Sequence, residues 1–225
     1  MPVNYDRSIA EAFQLLSPRK EDRIADFGCG NGRLLLHARQ WLKNGGTLEG
    51  FDIDESGIER ADVRAQRLGL NDQVSFQRAN LCQMDELKLT PFDGGIAHFS
   101  IYTIREKGDR IKALQQMAQL IKPGGRLIVS VPSERYRIAT IIAGAKKMES
   151  ERTDIHRLIR TVRKNILYRV TEKAMMQIEK ALDSGLFHRF TSEELSSNLK
   201  SAGLQPIKIQ SSYADCGYHA VATKQ

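Results

Sequence analysis

Short apolar runs alternate with helix-period stretches along the first 130 or so residues. Runs at 23–27, 47–51, 74–78, 94–99 and 126–131 have the length and apolar content of buried strands. Stretches at 33–41, 55–68 and 110–121 repeat their apolar positions at helical spacing. Strand and helix in regular alternation predict an α/β chain built on a parallel sheet. A leading helix is predicted over 5–16, with Ile9, Phe13 and Leu16 on one side and Pro18 closing it. Asn44-Gly45-Gly46 and Gly69 mark two helix ends. Near the other end, Thr191 with Glu194 forms a capping box for a helix running to about Ala202, with Gly203 as its stop. Two closing strands are predicted over 206–210 and 219–222.

The stretch 133–189 interrupts this rhythm. It contains a helical run, 146–182, with Ile155, Leu158, Ile159, Val162, Ile166, Val170, Ala174, Ile178 and Leu182 near one face. Arg152, Arg157, Arg160, Arg163, Lys164, Arg169 and Lys173 occupy the others. The expectation is one domain over 1–225, with 133–189 a helical, lid-like insertion.

The densest chemistry lies in residues 24–36, IADFGCGNGRLLL. A short strand ends in Asp26, turns through Gly28, Gly30 and Gly32, and enters a helix. Such a turn lets a ligand approach the backbone, and the helix start offers free N–H groups. A dinucleotide fingerprint would place its third glycine at position 33, which is Arg33. Asp26 would repel a pyrophosphate but suits a cationic group. A second acid, Asp52, ends the second strand, where an α/β nucleotide site hydrogen-bonds ribose hydroxyls. Asp54 and Glu55 read as acids at the start of the next helix.

At this point the chain resembles the class I S-adenosylmethionine-dependent methyltransferases, in the branch of small-molecule enzymes similar to those of ubiquinone biosynthesis. The resemblance rests on the D-x-G-x-G-x-G turn, the strand opened by Phe92-Asp93, the Lys122-Pro123-Gly124-Gly125 turn before the fifth strand, and Phe190-Thr191-Ser192-Glu193-Glu194-Leu195. It covers 23–132 and 190–224. It implies a Rossmann-like, seven-stranded, mostly parallel sheet of order 3-2-1-4-5-7-6 with helices on both faces. It implies S-adenosylmethionine as cofactor, S-adenosylhomocysteine as product, and no metal. Asp26, Gly28, Cys29, Gly30, Asp52, Ile53, Asn80, Leu81 and Phe99 would then bind the cofactor, with Gly32 also in the loop. Asn80 stands where the family usually has an acid, and its carbonyl can accept the same bond. The end of the fourth strand would face the transferred methyl group. His98 is the first candidate base because an ordinary histidine pKa suits proton removal near neutrality; Tyr102 is the second and His188 another.

Charge and composition narrow the rest. The formal net charge is +7 over 225 residues, and 133–189 alone holds 13 Lys/Arg against 7 Asp/Glu. The three cysteines, Cys29, Cys82 and Cys216, lack metal-ligand spacing and read as reduced thiols of a cytoplasmic protein. There is no run of 18 apolar residues and no basic-then-apolar leader, so neither a membrane span nor a secretory signal is expected. Three readings of the acceptor compete. One is a small-molecule methyltransferase, with the insertion folding over the site. The second is an RNA methyltransferase whose basic insertion tracks phosphates, although no N-P-P-Y/F motif or Pro-Cys nucleophile is present. The third is a non-catalytic, cofactor-binding or scaffolding protein whose insertion docks a partner or an anionic membrane surface.

Overall fold

The computed structural model describes residues 3–150 and 172–225. Its elements are α1 (Val3–Leu16), β1 (Arg23–Phe27), α2 (Leu35–Lys43), β2 (Thr47–Asp52), α3 (Glu55–Leu68), β3 (Val74–Arg78), β4 (Phe92–His98), α4 (Lys107–Gln119), β5 (Ile121–Pro132) and α5 (Ile138–Ser150). After these come α6 (172–183), α7 (Ser192–Ser201), β6 (Leu204–Ser212) and β7 (Gly217–Lys224). The strands form one sheet of order β3-β2-β1-β4-β5-β7-β6. Strands β1 to β5 pair in parallel, and β7 runs antiparallel to both β5 and β6. This is the order that the resemblance implied.

The central strands are apolar because both faces are covered. Neighbouring residues take opposite faces: Ile24, Ile96 and Ile128 pack with Ile9, Leu16, Leu35 and Leu42 of α1 and α2. Ala25, Ala97, Leu127 and Val129 pack with Leu114 and Met117 of α4 and Leu195 of α7. Phe27, Phe51 and Phe92 meet at the centre of that second core, with ring centroids 6.0 to 6.5 Å apart. A large aromatic at the end of β1 thus fixes where the next turn begins.

Local caps explain the element ends. Asp54 accepts from the Ser56 N–H at 3.2 Å and starts α3, and Gly69 ends it with φ 65°. Thr191 Oγ1 accepts from the Glu194 N–H at 3.1 Å. The returning arm of the expected capping box is replaced: the Glu194 carboxylate pairs with His188 Nε2 at 2.8 and 2.9 Å.

Several boundaries differ from the sequence expectation; β5 starts at Ile121, five residues before the expected 126, and takes in the expected Lys122-Pro123-Gly124-Gly125 turn. The fourth strand stops at His98, because Phe99 takes φ 49°, and a single 3-10 turn follows over Ile101–Thr103. Helix α4 starts at Lys107, three residues before the expected 110. Helix α5 starts at Ile138, eight residues before the expected 146, and buries Ile138, Ile141 and Ala145. Most of the basic face of the insertion, with Arg152, Arg157, Arg160, Arg163, Lys164 and Arg169, lies outside the described residues. No helix among the described residues is long and apolar enough to cross a membrane.

Candidate active site

The parallel strands end on one rim, and the glycine turn sits at its middle. The N–H groups of Gly28 and Cys29 both donate to Phe51 O of β2, at 2.7 and 3.0 Å. The Gly30 N–H donates to Asp52 Oδ2 at 2.7 Å, while Asp52 Oδ1 accepts from the Asp54 N–H at 2.9 Å. Asp52 therefore holds the turn and still has lone pairs to offer.

The glycines do different work. A methyl group on Gly28, whose φ is 82°, would lie 2.2 Å from Ser100 Cβ. One on Gly32 would lie 2.9 Å from Ala61 Cβ, so Gly32 serves the packing of α3 rather than a ligand. One on Gly30 would meet nothing within 4 Å. Only Gly30 faces open space. Arg64 of α3 fixes the turn from outside, donating to the Asn31 carbonyl and, at 2.9 Å, to Asn31 Oδ1.

Helix α1 closes the rim from above. Arg33 Nη2 donates to Asp6 Oδ2 at 2.7 Å, which ties α1 to the turn. Between them is a small cleft, about 30 Å³, lined by Tyr5, Asp26, Gly28, Cys29, Arg33 and His98. Asp6→Asn should loosen this tie, speeding amide exchange over residues 3–16 while leaving that of β1 and β4 unchanged.

Asp26 is the anomaly of the cleft. Its side chain is 4 % exposed and has no hydrogen bond or ion pair among the described residues. Burial, then the neighbouring Asp52, push its pKa up to about 7. Burial and the same two carboxylates raise the Cys29 thiol, which stays protonated. A buried acid beside a second acid calls for a cation.

Three predicted residues lie on the adjoining strand tips. Ile53 stands 63 % exposed just beyond β2, an apolar side chain turned to open space. Asn80 Oδ1 accepts from the Cys82 N–H at 3.0 Å, and its amide donates to Gln83 Oε1 at 2.8 Å, so it builds a turn and keeps one carbonyl lone pair. Leu81 is half-buried against the core.

The two candidate bases are less free than the sequence suggested. His98 does not keep an ordinary pKa: burial first, then His219 and His37, hold it well below 6.5, so it is a neutral and weak base. Its Nε2 lies 3.0 Å from Ser8 Oγ of α1. Ser8 Oγ also lies 3.3 Å from His219 Nε2, and His219 Nδ1 lies 2.7 Å from Ser130 Oγ. Burial lowers His219 to about 4, so this chain joins α1 to β4, β5 and β7 without charge. Tyr102 is raised to about 12 by burial and stacks edge-on against Phe187 at 5.3 Å. His188, engaged by Glu194, is held six residues away from it in sequence. Sequence reasoning missed Tyr5, Arg33, Ser8 and His219. Their pairings span 27 to 211 positions and leave no local pattern.

A sequence profile of the family described as "Methyltransferase domain" matches residues 18–199. The chain belongs to this methyltransferase family. Among curated proteins it is similar to the 27-O-demethylrifamycin SV methyltransferase of Amycolatopsis mediterranei, 31 % identical over 113 residues, covering 50 % of this chain and 39 % of that protein. It is also similar to the 23S rRNA (uracil(1939)-C(5))-methyltransferase RlmD of Aromatoleum aromaticum, 38 % identical over 139 residues, covering 61 % of this chain and 31 % of that protein. The chain spans less than half the length of the first curated relatives it matches. A solved S-adenosylmethionine-dependent methyltransferase from Aquifex aeolicus shares its fold, with a TM-score of 0.64, 13 % identity, and coverage of 96 % of this chain and 89 % of that one.

The methyltransferase family implies S-adenosylmethionine, and the residues present fit it. The cofactor brings an ammonium, two ribose hydroxyls and a flat base. The rim offers a buried carboxyl at Asp26 with no partner among the described residues, spare acceptor capacity at Asp52, and an exposed apolar side chain at Ile53. Gly30 leaves the backbone open to approach.

Proposed function

We propose that this chain is an S-adenosylmethionine-dependent methyltransferase acting on a small-molecule acceptor. The observation that carries the reading is the pair of acids on one glycine turn: Asp26 buried without a cation, and Asp52 bonded to the Gly30 N–H with lone pairs to spare. When bound, the cofactor supplies a methyl group on a positively charged sulfur. Asp26 would hold the ammonium, and Asp52 would accept from the ribose hydroxyls. Ile53, Asn80 and Leu81 would flank the base, and Cys29 and Phe99 would complete the wall. Helix α1, tied down through Arg33 and Ser8, would exclude water from the cleft. Helices α5 and α6 extend this cover: Asn4 Nδ2 donates to Ile141 O at 2.8 Å, and the Ile138 N–H donates to Glu179 Oε1 at 3.0 Å. The relative named for a small acceptor, the 27-O-demethylrifamycin SV methyltransferase, supports the class of substrate. Three free thiols support a reducing compartment such as the cytoplasm.

The test is calorimetric titration of S-adenosylmethionine and S-adenosylhomocysteine into wild type and Asp52→Ala. Wild type should bind in the micromolar range. Losing a charged acceptor for two hydroxyls should weaken binding by about tenfold to a hundredfold. Equal affinity in the variant would remove Asp52 from the site, and no binding to wild type at millimolar ligand would remove the enzyme reading.

A further inference from the structure

Four side chains form one line through the core: Ser130 of β5, His219 of β7, Ser8 of α1 and His98 of β4. Ser130 and His219 are fully buried and Ser8 is 1 % exposed, so each proton must be placed within the line. A hydroxyl has one proton to give and a neutral imidazole has one. Fixing the direction at one member therefore fixes it at all four.

Both sides of His219 agree on that direction. Ser130 Oγ has one partner among the described residues, His219 Nδ1 at 2.7 Å. If Nδ1 carried the ring proton, the buried Ser130 proton would be left without an acceptor. Ser130 therefore donates, and the His219 proton lies on Nε2. The Glu11 carboxylate, which can only accept, stands 3.9 Å from that same Nε2, and Ser8 Oγ stands 3.3 Å from it. A protonated Nε2 cannot take the Ser8 proton, so Ser8 gives it to His98 Nε2 at 3.0 Å. His98 is then left with its own proton on Nδ1, the reverse of the preference of a free imidazole.

That Nδ1 serves the cleft. It has no partner among the described residues, it is not among their sealed unpartnered atoms, and His98 lines the cleft. Tyr5 and Phe99 stack edge-on against the ring at 5.2 and 4.8 Å and hold its plane. Other donors there are spent: the N–H groups of Gly28 and Cys29 on Phe51 O, that of Gly30 on Asp52, and Arg33 on Asp6. Asp26 pairs with Ile96, and His98 is two residues further on, so Asp26 and His98 share one face of neighbouring strands. S-adenosylmethionine carries a carboxylate one carbon away from its ammonium. An acid and an N–H donor side by side suit that zwitterion.

Resting on the methyltransferase reading, we infer that His98 is a hydrogen-bond donor to the cofactor carboxylate, and that Ser130, His219 and Ser8 are positioning residues that hold its proton on Nδ1. With its one ring lone pair given to Ser8, His98 takes no proton from the methyl acceptor.

The test is long-range proton–nitrogen correlation on histidine-labelled protein, which reads which ring nitrogen bears the proton. Ring signals are traced through each residue's own Cβ protons, so this arm needs no variant to fold. Wild-type His98 should show a protonated Nδ1 and a bare Nε2, and His219 the reverse. Ser8→Ala should return His98 to a protonated Nε2 and leave His219 as it was, a change that a merely structural serine would not cause. S-adenosylhomocysteine should shift the His98 Nδ1 signal. Its decarboxylated analogue, which keeps the ammonium, should leave that signal in place and bind about tenfold more weakly. A bare His98 Nδ1 in wild type, an unchanged tautomer in Ser8→Ala, or an Nδ1 signal unmoved by bound S-adenosylhomocysteine overturns the inference. The expected tautomers without any binding of S-adenosylhomocysteine sink the methyltransferase reading, and the carboxylate's seat with it, while the line of protons stands.

Discussion

Asp26→Asn should give a protein that melts higher and binds its cofactor far more weakly. The Asp26 carboxyl is raised from 3.8 to about 7 by burial and by Asp52. An acid raised in the fold holds its proton more tightly there than in the unfolded chain. Its contribution to stability is full below the unfolded value and is lost as pH rises through the folded one. Three pKa units correspond to about 4 kcal/mol, all of it forfeited above about pH 8. The neutral amide removes that loss. The wild-type melting temperature, minus that of the variant, should therefore fall between about pH 4 and pH 7 and be flat above. Binding runs the other way. An ammonium wants the charged carboxylate, so wild-type affinity should rise through pH 7 with uptake of ligand releasing a proton. Removing one partner of such a buried pair should cost about a hundredfold in affinity or more. Thermal unfolding across pH and calorimetry in two buffers of different ionisation heat would measure both. Parallel melting profiles for the two proteins would show that Asp26 does not carry the charge described.

Gly28→Ala should damage both fold and site. Its φ of 82° is costly for any side chain, and the new methyl would sit 2.2 Å from Ser100 Cβ. Left-handed strain and overpacking together should cost about 2–5 kcal/mol. The turn must then shift away from Phe51 O and Asp52, so cofactor binding should be lost. Gly30→Ala is the contrast. Its methyl meets nothing, so the fold should lose only about 1 kcal/mol, from φ alone, while affinity still drops because the methyl occupies the approach to the backbone. Adding Ser100→Gly to Gly28→Ala should recover the steric part and leave the dihedral part. Denaturant titration of the four proteins separates the two terms. Additive losses in the pair would mean that Ser100 is not what the methyl strikes.

The half of the fold from β1 to β3 was legible because each signal there is local. Asp54 and Gly69 cap α3 within a residue of the expected ends, and the apolar runs of β1, β2 and β3 begin where pairing begins. The acids of the site were legible for the same reason: Asp26 and Asp52 sit at strand tips beside glycines. What escaped was set by contacts distant in sequence. Phe99 takes a left-handed dihedral that an aromatic residue gives no hint of, so the fourth strand appeared to run on. Helix α5 buries one face, Ile138, Ile141 and Ala145, beneath α1, but the unburied Ala139 and Ala143 are apolar as well, so the sequence shows no contrast between faces at its start. Glu194 looked like the second arm of a capping box, but His188 competes for its carboxylate. Tyr5, Tyr102 and Tyr213 come from three segments and meet around Phe99 only in the folded chain.

The position of α1 bears on how the protein should be handled at the bench. Its first turn carries Tyr5 and Asp6 onto the glycine turn, so a fusion partner or purification handle placed before residue 3 would hang its linker over the cleft and distort every affinity measured there. The other end is safer. Because β7 runs against β5, with Thr223 opposite Arg126, Lys224 emerges at the far rim, where its Nζ reaches Gln119 O at 3.1 Å. A handle attached after Gln225 leaves the working rim clear.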